Sequence, residues 1–307
     1  MNRIFFVDGK FVDENKAVIP VTAHALHYGT GVFEGIRAYY NEKEKCLCVF
    51  RMREHFERLK NSAKILFINI PFTVEQLIDV TSDLLRKNYV ETNIYIRPLA
   101  FKSDPAVGQF NLQHLKDSLV IYTVPIGKHL KDADTGVSVM VSSWRRVSDN
   151  SIPPRGKITG AYVNTALAKT ESELNGYGEA LLLDDRGHIV EGSAENIFLV
   201  NGGKVYTPPV SDDILVGITR DTIIKICKEE LGLEVIERSI DRSEVYCVDE
   251  LFLVGTGAEV SPVIEVDKRK IGDGRIGEIS MKIKKIYFKM VYGEMKGYEK
   301  FVTKIKK

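Results

Sequence analysis

The chain reads as an α+β protein of two domains, and three observations carry that reading. Its 307 residues exceed what one hydrophobic core of ordinary size organises. Apolar residues recur with period two in some stretches and at spacings of three and four in others. They lack the regular strand–helix alternation of a doubly wound parallel sheet. A polar, charged run from Gly127 to Gly136 separates two strand-rich parts, as interdomain connections do. The expected division is a first domain over 1–125, a linker over 126–136 and a second domain over 137–307.

Taken in order, Arg3–Val7 and Lys10–Val12 form a hairpin turned at Asp8-Gly9. A compact turn region, His24 to Gly35, leads into a strand over Ile36–Tyr40, and charged residues 41–45 turn the chain back into Cys46–Phe50. Phe56, Leu59, Ala63 and Leu66 fall at helical spacing, so an amphipathic helix follows Arg53. Thr73-Val74-Glu75-Gln76 has the form of a capping box and opens a second helix burying Leu77, Ile78, Thr81, Leu84 and Leu85. Strands are expected over Asn93–Phe101, Ser118–Val124 and Val137–Ser143. A helix over Ala161–Leu174 precedes a strand pair, Glu179–Leu183 and His188–Val190, turned by Asp185-Arg186-Gly187. Short strands then alternate with turns until a helix after Gly217, and a last helix carries Ile283, Ile286, Tyr287 and Met290. The basic tail Lys300–Lys307 reads as a solvated terminus.

Composition excludes several classes. With 43 basic and 42 acidic residues the formal charge is +1, which provides no electrostatic footprint for nucleic acid or an anionic membrane. No apolar run reaches the ~18 residues of a membrane span, and Ile4-Phe5-Phe6-Val7 is a strand stopped by Asp8-Gly9 rather than a signal sequence. Cys46, Cys48, Cys227 and Cys247 lack metal spacing and read as buried free thiols of a cytoplasmic protein. His24, His27 and His55 form no ligand pattern, so no metal is expected, and no phosphate-binding loop or dinucleotide fingerprint is present.

The chemistry concentrates around Arg155-Gly156-Lys157-Ile158-Thr159-Gly160 and, some thirty residues on, Glu191-Gly192-Ser193-Ala194-Glu195-Asn196. A lysine amine between glycines, which let the backbone approach a bound group, together with a placed carboxylate, is what pyridoxal phosphate chemistry needs. The amine forms a Schiff base and the acid keeps the pyridine nitrogen protonated. Val216-Gly217-Ile218-Thr219 before an amphipathic helix could be an anion site at a helix start, with Thr219 equally a plain N-cap. The strand Glu250–Val254 runs into Gly255-Thr256-Gly257-Ala258, either a nest of amides or a tight loop without a ligand. Strand alternation sends Tyr95 and Arg97 to one face, and both could address carboxylates or stand as a surface pair. Arg58 and Tyr162, read alone, are a surface arginine and a core tyrosine.

These blocks, with His24-Ala25-Leu26-His27-Tyr28-Gly29-Thr30 and Gly217-Ile218-Thr219-Arg220-Asp221, run nearly end to end in the order of the branched-chain amino acid aminotransferases, which the chain resembles. The resemblance implies fold type IV: an N-terminal α/β sandwich with a mostly antiparallel sheet and a larger C-terminal pseudo-barrel. It implies pyridoxal 5'-phosphate as cofactor and transamination between leucine, isoleucine or valine and 2-oxoglutarate, so the partners are small amino acids and 2-oxo acids. By position it assigns Lys157 to the Schiff base and Glu191 to the ring nitrogen. Arg58, Ile218, Thr219 and Thr256 fall to the phosphate, and Tyr162 to the phenolic oxygen. Tyr28, Phe33 and Gly35 would line an apolar side-chain pocket; Tyr95, Gly257 and Ala258 would hold the α-carboxylate, and Arg97 would meet the second carboxylate of 2-oxoglutarate. It also implies a homodimer or larger homo-oligomer in which the loop Ser103–Asn111 enters a neighbour's site. Tyr95-Ile96-Arg97-Pro98 sets the chain apart from the D-amino-acid and amine transaminases and the aminodeoxychorismate lyases of the same class. One departure stands: some bacterial members carry Trp after the proline of the interdomain loop, where this chain has Pro125-Ile126.

Overall fold

A computed structural model describes residues 3–127 and 134–307; the middle of the expected linker, 128–133, lies outside the described residues. The chain forms two units. The first combines residues 1–127 with 156–160 and 290–307, and the second comprises 128–155 and 161–289. The expected division differs from this grouping in two places, because a five-residue segment around Lys157 and the C-terminal eighteen residues fold with the first unit.

In the first unit β1 (Ile4–Val7), β2 (Lys10–Asp13), β3 (Gly31–Phe33), β4 (Ile36–Asn41), β5 (Cys46–Phe50), β6 (Ile94–Lys102) and β7 (Asp117–Pro125) make one sheet. The C-terminal strand Val302–Ile305 lies at one edge, followed by β5, β4, β6, β7, β1 and β2, with β3 also on β6. Each of these pairings is antiparallel. The helix α1 (His24–Tyr28) and β3 give the expected turn region more regular structure than the sequence suggested. The helices α2 (Met52–Ile65) and α3 (Val74–Lys87) pack on each other, α3 also on β1 and β7, and they bury Phe56, Leu59, Leu77, Leu84 and Leu85. The capping box forms as read: Thr73 Oγ1 accepts from the Gln76 amide, and Gln76 Oε1 accepts from the Thr73 amide.

The basic tail is not a solvated terminus. Val302–Ile305 pairs antiparallel with β5, from Val302 opposite Phe50 to Ile305 opposite Leu47, and Phe301 and Ile305 are buried. The lysines hid the alternation: Lys304 turns outward to Glu44 at 2.6 Å, while the apolar residues between them cover an edge that would otherwise expose unpaired backbone groups.

The second unit contains β8 (Val137–Arg145), β9 (Glu179–Leu183), β10 (His188–Gly192), β11 (Asn196–Asn201), β12 (Lys204–Thr207), β13 (Val235–Glu237), β14 (Ile240–Asp241), β15 (Glu250–Gly255), β16 (Glu259–Val266) and β17 (Arg269–Lys270). The strands β8, β9, β10, β11, β15 and β16 pair in a closed ring. Antiparallel pairs dominate, but β8 runs parallel to both β9 and β16. This is the barrel that the resemblance implied. The ring closes between β10 and β11 through one rung, Glu191 opposite Asn196. Val139, Leu181, Ile189, Ile197, Leu199 and Leu253 of these strands belong to one buried apolar cluster. The helix α4 (Tyr162–Leu174) packs on β8 and β9, and α5 (Ile218–Lys225) continues as a π-helical turn over Ile226–Glu230. The last helix, α6, spans Glu278–Val291. Three of the four cysteines are buried, whereas Cys247 is exposed because it follows the surface turn Glu244–Tyr246. Among the described residues no helix is long and apolar enough to cross a membrane, and no cluster of His, Cys, Asp and Glu could hold a metal ion.

Ile305→Ala should lower stability by ~2–5 kcal/mol, the usual loss for a buried aliphatic side chain cut to Ala. Lys306→Ala, on an exposed residue, should change it by less than about 0.5 kcal/mol. Urea unfolding of the two variants beside wild type checks the difference; equal midpoints would mean that the C-terminal strand is not part of the fold.

Candidate active site

Lys157 is held by elements distant in sequence. Its amide donates to Ser62 Oγ of α2 at 3.1 Å, and its carbonyl accepts from the Phe33 amide at 3.0 Å. Ile158 forms a bridge with Val32 of β3, and Thr159 Oγ1 donates to the carbonyl of Gly29 at 2.7 Å. Gly29 has φ of +65°, and a Cβ there would lie 2.6 Å from Gly160 Cα, so only glycine lets the two strands of chain meet. The glycines that flank Lys157 thus serve this docking, where the sequence suggested the approach of a bound group: a Cβ at Gly156 would press on Ile65 and one at Gly160 on Gly29.

The Lys157 Nζ sits 5.1 Å from the centre of the Phe33 ring, and the Arg97 guanidinium lies over the same ring at 4.3 Å. Arg97 Nη2 also donates to Tyr95 Oη at 2.9 Å, so Tyr95 and Arg97 share one face as the alternation required. A Cβ on Gly35 would come within 2.2 Å of that Tyr95 oxygen; the absent side chain keeps the hydroxyl in place. Arg37, which the sequence reading missed, stands directly opposite Tyr95 across β4 and β6 and so faces the same side. Its register was the available signal. Tyr28 lies in the first unit as well. Its hydroxyl accepts from the Gly108 amide at 2.9 Å and its ring meets Phe110 edge-on, which ties it to the loop 103–111.

Arg58 is not a surface residue. Its Nε and Nη2 donate to the two Glu34 oxygens at 2.7 and 2.8 Å, and His55 Nδ1 lies 2.7 Å from Glu34 Oε2. Glu34 is 0% exposed. Burial works against its charge, yet the Arg58 and His55 contacts hold the carboxyl well below the usual carboxylate range. Burial pushes His55 down, against the pull of Glu34. Arg58 and His55 together thus occupy both oxygens of Glu34.

In the second unit Glu191 and Asn196 flank the turn between β10 and β11. Glu191 Oε1 pairs with Arg146 Nε at 2.8 Å. Its Oε2 accepts from the Leu215 amide at 3.1 Å and from Asn196 Nδ2 at 3.4 Å. Asn196 Nδ2 also donates to the Leu215 carbonyl at 3.0 Å, which fixes the segment leading into α5. Thr165 of α4 donates to the Ser193 carbonyl at 2.7 Å, so the helix that starts at Tyr162 is anchored on the same turn. The N-cap of α5 is Gly217, with no side-chain cap. Thr219 is the second helical residue, not the cap, because the chain enters the helix two residues earlier. A glycine cap leaves no side chain to compete for the first-turn amides, an arrangement suited to an anion. Thr256, Gly257 and Ala258 form the tip between β15 and β16, which pair from Leu251–Val263 to Gly255–Glu259.

Taken unit by unit, the groups suit the parts of pyridoxal phosphate in chemistry. The first unit provides a half-buried lysine amine and a guanidinium, and the second a buried carboxylate and a side-chain-free helix start. An aldehyde carbon, a phosphate and a basic ring nitrogen are the groups these would hold.

Glu195 is as buried as Glu191, each 3% exposed. Burial and the Glu179 carboxylate push the Glu195 carboxyl up to about 8, against the amide of Ala194 and Lys169. A raised folded-state value means that the native protein keeps a proton which the unfolded chain gives up above its ordinary value of 4.5. Stability from this group therefore falls as pH rises between 4.5 and 8. Glu195→Gln should remove that slope, at most about 1.4 kcal/mol per pH unit. The variant should gain on wild type from pH 5 to about 8 in denaturation series. Parallel curves would place the proton on another group.

Residues 31–266 match the family model described as amino-transferase class IV. The probable branched-chain-amino-acid aminotransferase of Aquifex aeolicus is 45% identical over 300 residues, covering 98% of this chain and 96% of that protein. Among solved structures, the branched-chain aminotransferase of Thermoproteus uzoniensis with norvaline superposes with a TM-score of 0.94 at 42% identity, over 99% of this chain and 100% of that one. The branched-chain amino acid aminotransferase of Thermobaculum terrenum, in its PLP-bound holo-form, does so at 0.93 and 34% identity, over 100% of this chain and 99% of that one. With three quarters of its length under the family model and relatives matched almost end to end, the chain belongs to the class IV aminotransferases.

Proposed function

We propose that the protein is a pyridoxal-phosphate-dependent transaminase that exchanges the amino group between leucine, isoleucine or valine and 2-oxoglutarate. The observation that supports this most is the Phe33 ring, which lies against both the Lys157 amine at 5.1 Å and the Arg97 guanidinium at 4.3 Å. The reactive nitrogen, an apolar wall and a fixed positive charge thus meet at one residue.

When bound, pyridoxal phosphate supplies an electron-withdrawing ring that stabilises negative charge at the substrate α-carbon. Lys157 would hold the cofactor through its amine and would move the substrate α-proton. Glu191 keeps the proton on the ring nitrogen, and Tyr162 addresses the phenolic oxygen. Arg58, Ile218, Thr219 and Thr256 grip the phosphate. Tyr95 with the Gly257 and Ala258 amides holds the α-carboxylate common to both substrates. Phe33 and Gly35, with Tyr28, give an aliphatic side chain an apolar surface, worth roughly 1.5–3 kcal/mol when fully buried. A second carboxylate cannot lie unpaired there, and Arg97, already held over the ring, takes it.

The two units are read as the two domains of the enzyme. The loop 103–111 presents Val107 and Phe110 to solvent, 64% and 69% exposed, while Tyr28 fastens its middle. An ordered loop with an apolar tip fits the role of entering a neighbouring subunit, so we read the protein as a homodimer or larger homo-oligomer working in the cytoplasm.

Lys157→Ala should abolish transamination and leave the fold intact, and borohydride reduction of wild type should attach the cofactor to the Lys157 peptide. Attachment at another lysine, or no activity in a screen of amino donors against 2-oxoglutarate, would overturn the reading. Arg97→Leu should raise KM for 2-oxoglutarate and glutamate about 10-fold or more, the scale of a lost charged hydrogen bond. The leucine half-reaction should stay within a few-fold in single-turnover kinetics; equal losses would assign Arg97 to the shared carboxylate.

A further inference from the structure

Glu191 and Glu195 lie four residues apart on one turn and are equally buried, each 3% exposed, yet their surroundings differ. Glu195 Oε2 accepts from the Ala194 amide at 3.0 Å, and its nearest charges include the carboxylate of Glu179, which is itself paired with Lys169 at 3.1 Å. Glu191 has an arginine of its own. Arg146 is 8% exposed and its Nε stands 2.8 Å from Glu191 Oε1. The backbone of Arg146 is fixed just past the end of β8, where its amide donates to the Leu183 carbonyl of β9 at 2.8 Å. A buried carboxylate without a counter-charge takes up a proton; one against a guanidinium stays an anion of fixed orientation.

We propose that Arg146 is a positioning residue for the ring-nitrogen contact, keeping Glu191 charged and oriented so that the proton of that contact stays on the ring. The inference rests on the role of Glu191 given above. A carboxylate beside a cation is a weaker base, so in the pair formed with a pyridine nitrogen the proton is favoured on nitrogen. Without Arg146, Glu191 becomes a second buried, neutral acid like Glu195, and the ring loses its proton.

Holoenzyme reconstituted with pyridoxal phosphate labelled with 15N at the ring nitrogen tests this by NMR, alongside single-turnover rates. Wild type should show the protonated-nitrogen shift, Arg146→Met the neutral one with kcat lowered on the order of 10²-fold, and Arg146→Lys should restore the protonated shift. A protonated ring in folded, cofactor-bound Arg146→Met would overturn the proposal. An unprotonated ring in wild type would instead overturn the role of Glu191. Where Arg146→Met fails to fold, Arg146→Lys decides between the outcomes. It should lower kcat several-fold alone and leave the Glu191→Gln enzyme unchanged within about two-fold, as residues acting through one another do. Additive losses would overturn the proposal.

Discussion

Residues 156–160 are the constraint on which the candidate residues of the first unit depend. The chain on either side of this segment, 128–155 and 161–289, belongs to the second unit. The five residues themselves are fastened to β3, α2 and Gly29 by backbone and hydroxyl hydrogen bonds. Lys157 therefore takes its coordinates from the sheet that also carries Phe33, Tyr95 and Arg97. An amine held by the same sheet as the residues proposed to select the substrate is kept in register with them. This meets the requirement of near-attack geometry, for which errors of about an ångström are costly.

Buried carboxylates are settled in three ways, and together they organise the polar interior. Glu34 remains an anion because Arg58 and His55 satisfy both its oxygens. Glu191 is paired with one arginine and two neutral donors. Glu195 has an amide and an acidic neighbour, and retains its proton. Burial alone decides none of these cases; the number and sign of partners does.

Much of this was legible from local pattern. The capping box, the amphipathic α2 and α3, and the Tyr95–Arg97 face follow from spacing of three, four and two, and all appear where expected. The barrel and the candidate residues came from ordered motifs shared with a family, not from periodicity. What stayed hidden depends on pairings between distant residues. Arg146 and Glu191 are 45 positions apart in sequence, Glu34 and Arg58 are 24, and Gly29 meets Gly160 across 131. No local period announces such contacts. The C-terminal strand was misread because lysines are prominent in the tail around it, although the residues that make it a strand lie between them.

The closing rung of the barrel is also the position of its candidate acid. Glu191 opposite Asn196 is where β10 and β11 meet, so parting of the ring at that seam would displace the carboxylate. Under the proposed role of Glu191, placement of the acid and closure of the cylinder depend on one rung. For the proposed enzyme, the rate per active centre would therefore carry information about this seam.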